Sequence, residues 1–403
     1  MNQLEKVLLV HNYYKIPGGE DTVVTNEKKL LENHGHKVIL YSRSNLELEE
    51  CSAFRKLIFP LYLIFNFKTY KDVKRIIQTE HIDIVHVHNT LAVVSPSVYY
   101  AALQCNVPVV QTIHNFRLLC PGATFYRDDH ICKDCIKHGL FCAVKHSCYR
   151  GSKVATLACV LNMWFHRTLK IYQRLYYICL TEFNRDELLK LKQINENRIF
   201  IKPNFSDDLD TEIIPYEHRK KRFIYAGRID KSKGIMVLFE AWRKMGTGAP
   251  RLLVCGTGPM ENWCRAFIKK NQLHQIHLLG YVPNIRLKML LADSLALILP
   301  TQLYEGFPMA IVEAYSTGTP VIGSDIGNVG SIIEEGITGW KFKPDSAEDL
   351  VEKIKRVSDI CSSVYEEYRK KYTSEHNYDL LKSTYRKACM EYEISDGIHN
   401  GHS

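Results

Sequence analysis

Short β-branched runs recur along the chain with helical stretches between them. In the first half they are KVLLV (6–10), HKVILY (36–41), IDIVHV (82–87), PVVQTI (108–113), YYICL (176–180) and RIFIK (198–202). A second series follows: RFIYAG (222–227), RLLVCG (251–256), IHLLGY (276–281), LALILP (295–300), TPVIGS (319–324) and WKFKP (340–344). Apolar strands spaced by helices predict parallel sheets covered on both faces. The polar, Pro-containing stretch DDLDTEIIPYEHRKKR (207–222) separates the two series, so the pattern predicts an α/β chain of two Rossmann-like halves. The expected divisions are 1–205, 206–375, and a terminal segment 376–403 that packs back on the first half. Past residue 345 the spacing is helical to about 394, and ISDGIHNGHS reads as a frayed end.

A length of 403 residues suits two domains, and 46% hydrophobic with 24% charged residues is the composition of a folded globular chain. The net charge of +9 favours anionic partners, such as nucleotides or acidic lipid headgroups, without choosing among them. The opening MNQLEKVLLVHNYY carries a strand pattern and no secretion signal, so a cytoplasmic chain is expected. The longest apolar run, Leu57 to Phe67, contains Pro60 and is well short of the roughly 20 residues that span a bilayer. Its flanking cations Arg55, Lys56, Lys68, Lys71, Lys74 and Arg75 suit a segment lying in an anionic interface, and equally a buried helix with solvated ends.

Ligands of doubly wound sheets bind beyond the carboxyl ends of the strands, so two such edges facing one another predict a central cleft. Gly18 and Gly19 follow the first strand, ahead of a helix expected to begin near Asp21 or Thr22, whose N-terminus would favour an anion. In the second half Gly227-Arg228-Ile229-Asp230-Lys231-Ser232-Lys233-Gly234 again follows a strand. Arg228 and Lys233 supply a guanidinium and an ammonium that could hold a diphosphate as charge builds on its leaving oxygen. Gly256-Thr257-Gly258 follows another strand, but a nicotinamide fingerprint would need Gly or Ala where Glu261 stands, which disfavours a dehydrogenase.

LYEGFPMAIVEAYSTGTPVIGSD (303–325) places Glu305 in a loop and Glu313 inside a helix predicted to hold Pro308 in its first turn and to run to about Thr317 before Gly318. Backbone N–H groups at 307–310 could bond sugar hydroxyls, and Glu313 a ribose diol; alone, Glu313 could equally be a helix-surface charge.

With PGGED (17–21), GRIDKSKG (227–234), GTGPM (256–260) and YEGFPMAIVEAYSTGTPVI (304–322) in this order, the chain resembles the GT-B glycosyltransferases of family 4. That resemblance implies retaining transfer from a UDP- or GDP-sugar. Arg228 and Lys233 would grip the diphosphate with Gly18, Gly19, Gly227, Gly256 and Gly258 at the donor, and Glu313 would hold the ribose. Glu305, Phe307, Pro308 and Met309 would face the donor sugar, and His114, in TIHN, would lie near its reacting carbon. Related bacterial polysaccharide transferases imply a lipid-linked oligosaccharide acceptor, a capsular or exopolysaccharide product, and a peripheral position on the inner face of the cell membrane. Arg55 to Arg75 and the aromatic region Met163 to Tyr177 are the surface candidates. No D-x-D pair is read at a nucleotide site, so catalysis is expected without metal, and no nucleic-acid partner is expected.

The chain has 13 cysteines, most scattered as reduced thiols are, but five lie between Cys120 and Cys148. Cys120, Cys132, Cys135 and Cys148 could form a closed structural zinc site, or remain reduced in a long loop beside His114. Within the same fold, a nucleotide-sugar 2-epimerase and a non-catalytic sugar-nucleotide binder are the competing readings.

Overall fold

The computed structural model describes residues 6–15, 18–49, 53–207, 209, 212–359 and 363–400. All twelve predicted runs form strands. Two compact units result: one gathers the residues up to Phe125, Lys133–Lys202 and those from Tyr378, the other Tyr126–Cys132 and Pro203–Asn377.

The first unit holds β1 (Lys6–Tyr13), β2 (Lys37–Ser44), β3 (Ile84–Val87) and β4 (Val109–Ile113), and, after a hairpin of β5 (Tyr126–Arg127) and β6 (His130–Ile131), β7 (Tyr176–Cys179) and β8 (Ile199–Ile201). Its parallel sheet runs in the order β2-β1-β3-β4-β7-β8. Consecutive Val7, Leu8, Leu9 and Val10 are all fully buried, as a strand covered on both faces requires. The helix Gly19–Asn33 buries Val23, Val24, Glu27, Leu30 and Leu31, one stripe at helical spacing with a carboxylate in its middle.

The second unit holds β9 (Lys220–Ala226), β10 (Arg251–Cys255), β11 (Ile276–Gly280), β12 (Ser294–Leu299), β13 (Val321–Ser324) and β14 (Gly339–Phe342), in the order β11-β10-β9-β12-β13-β14. Alternation along the strands feeds two cores. Phe223, Tyr225, Leu252, Val254 and Trp242 pack on one face, and Ile224, Leu253, Leu297, Ile311 and Tyr315 on the other. Each such side chain contributes about 1.5–3 kcal/mol by leaving water.

Boundaries depart from expectation where packing outweighs local pattern. The first helix starts at Gly19, ahead of Asp21. The helix after Glu305 spans Met309–Tyr315, with Pro308 just outside it. The final segment is helical from Ser374 through Asn400, so the expected frayed end is not seen up to that point. Its Tyr378 and Tyr385 hydroxyls reach His36 and His86 of the first unit, at 3.0 and 2.7 Å. The β5–β6 hairpin groups with the second unit, where Asp129 pairs with Lys231 at 2.6 Å.

Leu57 to Phe67 divides between the helices Ala53–Ile64 and Phe67–Glu80; Arg55 and Lys56 have side chains outside the described residues, as does Pro17 entirely. Among the described residues, no helix is long and apolar enough to cross a membrane. A D-x-D triplet, Asp208-Leu209-Asp210, does stand in the linker ahead of β9, and its aspartates also lie outside the described residues.

Candidate functional site

Each sheet has a point where strand order reverses, between β1 and β3 in the first unit and between β9 and β12 in the second. The loops leaving those strands diverge there and open a crevice.

In the second unit the loops after β9 and β12 are drawn together by Gly234. Its φ is +73°, and a Cβ there would lie 1.7 Å from the Pro300 carbonyl oxygen, so only glycine fits. Lys233, next to it, places its ammonium 2.6 Å from both carboxylate oxygens of Glu305. The Thr301 hydroxyl donates to the same carboxylate at 3.0 Å, and Asn328, which the sequence reading missed, donates its amide to the Glu305 and Gly306 carbonyls. Arg228 is exposed. Burial pushes the neighbouring Asp230 carboxyl up, but two hydrogen bonds from Ser232, with Arg228 and Lys233 nearby, bring it net below its usual value.

Glu313 is nearly buried and accepts from Asn284, and burial raises its pKa against the opposing charge of Lys288. It is thus a hydrogen-bonded helix carboxyl and no simple surface charge. Phe307 packs against the core, Pro308 caps the short helix, and Met309 begins it.

The glycines differ from expectation. The N–H groups of Gly227, Gly256 and Gly258 donate to Cys255 O, Gly280 O and the Glu261 carboxylate. A Cβ at Gly256 would sit 1.9 Å from Gly227 O, and one at Gly258 2.3 Å from Ile229 O. These residues let two loops pack backbone to backbone, and their amides are engaged within the second unit. Gly18 also donates, to Asp21, although a Cβ there would meet nothing within 4 Å.

In the first unit the switch point is built from imidazoles. His11, in β1, holds Asp21 at 2.7 Å; beside it burial, then the Asp21 charge, pushes the Glu20 carboxyl up to about 8. His114, after β4, shares a 2.9 Å hydrogen bond with His88, and their rings stack at 5.2 Å. Burial, then His11 and Lys202, hold His114 down at about 3, so the ring is neutral at physiological pH. His114 lines a pocket of about 640 Å³, open mouth included, with Asn115, Arg117, Gln111 and Asn162. His86, His88 and Glu27 went unnoticed in the sequence. The strand-end signal His86-Val87-His88-Asn89 could have found the histidines, whereas Glu27 looked like any helix carboxylate.

Of the four cysteines, Cys135 and Cys148 border one apolar cluster, and Cys120 Sγ and Cys148 Cβ both flank Gly122, each 3.7 Å from where a Cβ there would stand. Among the described residues, Glu27, His86 and His88 are the group with ligand atoms within 4.8 Å of one another, and no set of three thiols meets that measure.

Residues 17–208 match the model of Glycosyltransferase Family 4, and residues 206–374 that of Glycosyl transferases group 1. The two halves thus each match a glycosyltransferase family, and the fold is GT-B. The chain is 24% identical over 358 residues to an uncharacterized glycosyltransferase of Methanocaldococcus jannaschii, a match covering 87% of each chain. It is 26% identical over 175 residues to an amylovoran biosynthesis glycosyltransferase of Erwinia amylovora, a match spanning 41% of this chain and 42% of that relative. Among solved structures, a lipopolysaccharide outer core galactosyltransferase superposes with a TM-score of 0.67 at 16% identity, covering 94% of this chain and 98% of the other. An Anabaena protein in complex with UDP and glucose gives 0.64 at 15% identity, covering 95% and 100%. At these identities the structural likeness concerns the fold.

Proposed function

We propose that this GT-B protein transfers a sugar from a UDP- or GDP-sugar to a lipid-linked oligosaccharide in surface polysaccharide synthesis, with retained configuration and without a catalytic metal. The observation that carries the reading is the Lys233–Glu305 pair at the second switch point, with exposed Arg228 one short loop away. A donor diphosphate would draw Lys233 partly from Glu305, joining an ion pair already oriented there. As the bond from the anomeric carbon to the phosphate oxygen breaks, Arg228 and Lys233 balance the charge on the leaving diphosphate. The acceptor hydroxyl attacks from the same face and passes its proton to that departing oxygen. Glu305, held by Lys233 and Thr301, is not assigned as a nucleophile. His114 bonds the transferred sugar from the first unit's pocket, and Glu313 bonds the ribose.

An acceptor on a membrane agrees with an apolar surface of the first unit. Val154, Trp164 and Leu169 are exposed by half or more on and just after the helix Lys153–Thr168, as are Leu61 and Phe67 on and just after the adjoining helix Ala53–Ile64. The polysaccharide assignment extends what the amylovoran relative's name says of that protein. The test is incubation with a panel of UDP- and GDP-sugars and a membrane extract. Release of nucleotide diphosphate with label entering the lipid fraction is expected. Epimerised donor without release would identify a 2-epimerase, and binding without turnover a silent binder.

A further inference from the structure

Glu27 lies at the centre of the first unit with no exposure, among apolar residues of its own helix face. Its Oε1 is 3.5 Å from the buried Lys202 ammonium and 3.7 Å from His86 Nδ1, and its Oε2 is 3.9 Å from His88 Nε2. Neither carboxylate oxygen has a partner in hydrogen-bond geometry, and neither does His88 Nε2. His86 is satisfied elsewhere: its Nδ1 meets the Tyr385 hydroxyl and its Nε2 the Thr112 hydroxyl, both at 2.7 Å. What remains at this centre is the Glu27 carboxylate, balanced by Lys202, and one nitrogen of His88 without a hydrogen bond.

We propose that Glu27 is a positioning residue that acts through His88 to decide which nitrogen of His114 carries its proton. Burial raises the Glu27 carboxyl on balance, and the Lys202 ammonium 3.5 Å away, opposing that rise, is what favours its ionised form. At 3.9 Å the carboxylate is beyond hydrogen-bond reach of His88, but its charge acts through a medium of low polarity. A negative charge favours N–H over a lone pair on the nitrogen that faces it, so His88 carries its proton on Nε2. His88 Nδ1 must then accept, and the donor in the 2.9 Å bond is His114 Nε2–H. His114 Nδ1, which makes no hydrogen bond among the described residues, is left with a lone pair on a ring that lines the pocket. This site of the ring therefore accepts a hydrogen bond, and suits a sugar hydroxyl. The link to sugar rests on the proposed transferase reading; the tautomer does not.

Protonating Glu27 would reverse every polarity in the chain. A carboxylic acid would donate to His88 Nε2, His88 Nδ1–H would donate to His114 Nε2, and His114 would present Nδ1–H to the pocket. The Lys202 charge is what stands against that state. It also disfavours a metal ion among Glu27, His86 and His88, since a cation already occupies that corner and both His86 nitrogens are committed.

Long-range ¹⁵N–¹H spectra of the histidine-labelled protein, with His114 assigned through His114→Gln, read the tautomer directly. The wild type is expected to show His114 as Nε2–H. Lys202→Met, which releases Glu27 to take a proton, and Glu27→Gln, whose amide can donate to His88, are each expected to move His114 to Nδ1–H. Glu27→Asp should keep the wild-type form. In the transfer assay Glu27→Gln should lower kcat about 10- to 100-fold, the range for partners one shell removed, with KM for the donor nearly unchanged. An unchanged His114 tautomer in a folded Glu27→Gln or Lys202→Met protein overturns the proposal, and so does one equivalent of bound metal in the wild type. Should both variants fail to fold, a wild-type Nδ1–H tautomer overturns it by itself and Nε2–H supports it. Absence of sugar transfer in the wild type would sink the transferase reading while leaving the tautomer result intact.

Discussion

At the switch point of the second sheet, ionised side chains stand within reach of solvent: Lys233 on Glu305, with Arg228 exposed beside them. At the switch point of the first sheet, buried His86 and His88 and half-buried His114 are held neutral, each with its pKa pushed down by burial first. One crevice thus meets a ligand with fixed charge, and the other with uncharged hydrogen-bonding rings.

Lys233→Ala tests the charged side, and the largest effect is expected there. Transfer should fall by roughly 10²- to 10³-fold, the loss typical of one donor to developing charge, while the thermal midpoint stays close to wild type. Wild-type turnover in that variant would break the comparison. Next comes Gly256→Ala, which drives a methyl group into the Gly227 carbonyl and should cost about 3 kcal/mol of stability in denaturant unfolding.

On the uncharged side, Glu20 sharpens the contrast through pH. Its folded pKa of about 8 exceeds the ordinary 4.5, so the folded chain holds that proton more firmly than the unfolded chain does. Stability therefore falls as pH rises from 4.5 through 8, and is unaffected by this group below 4.5. Glu20→Gln should remove on the order of 2 kcal/mol of that fall, read as thermal midpoints across the range. The smallest effect is expected for Gly18→Ala. With an extended backbone at φ −133° and nothing within 4 Å of the new methyl, it should change stability by less than about 0.5 kcal/mol.

The strands were legible because burial on both faces leaves an unbroken apolar signature, seen in Val7 to Val10. Lys233 and Glu305 were legible as residue types in loops after strands, but not as partners, since they meet across 72 residues. Gly256 and Gly258 looked like ligand-binding glycines, and their need for close backbone contact came from a neighbouring loop instead. Glu27 was invisible for a related reason. A glutamate is an ordinary helix former, and only the packing of β3, β8 and the final helix around it turns it into a buried charge. The terminal segment misled in the other direction, since the helix that begins at Ser374 runs on through Asn400.

The hydroxyl that satisfies His86 comes from Tyr385, 299 residues downstream. A ribosome adding roughly 5–20 residues per second needs on the order of 15–60 s to supply it after His86 has emerged. Throughout that interval the nascent first half carries an unfinished interior, so its completion must wait for the second half to be translated. A chain stopped early by a premature codon would leave that gap permanently open, a target for quality-control proteases.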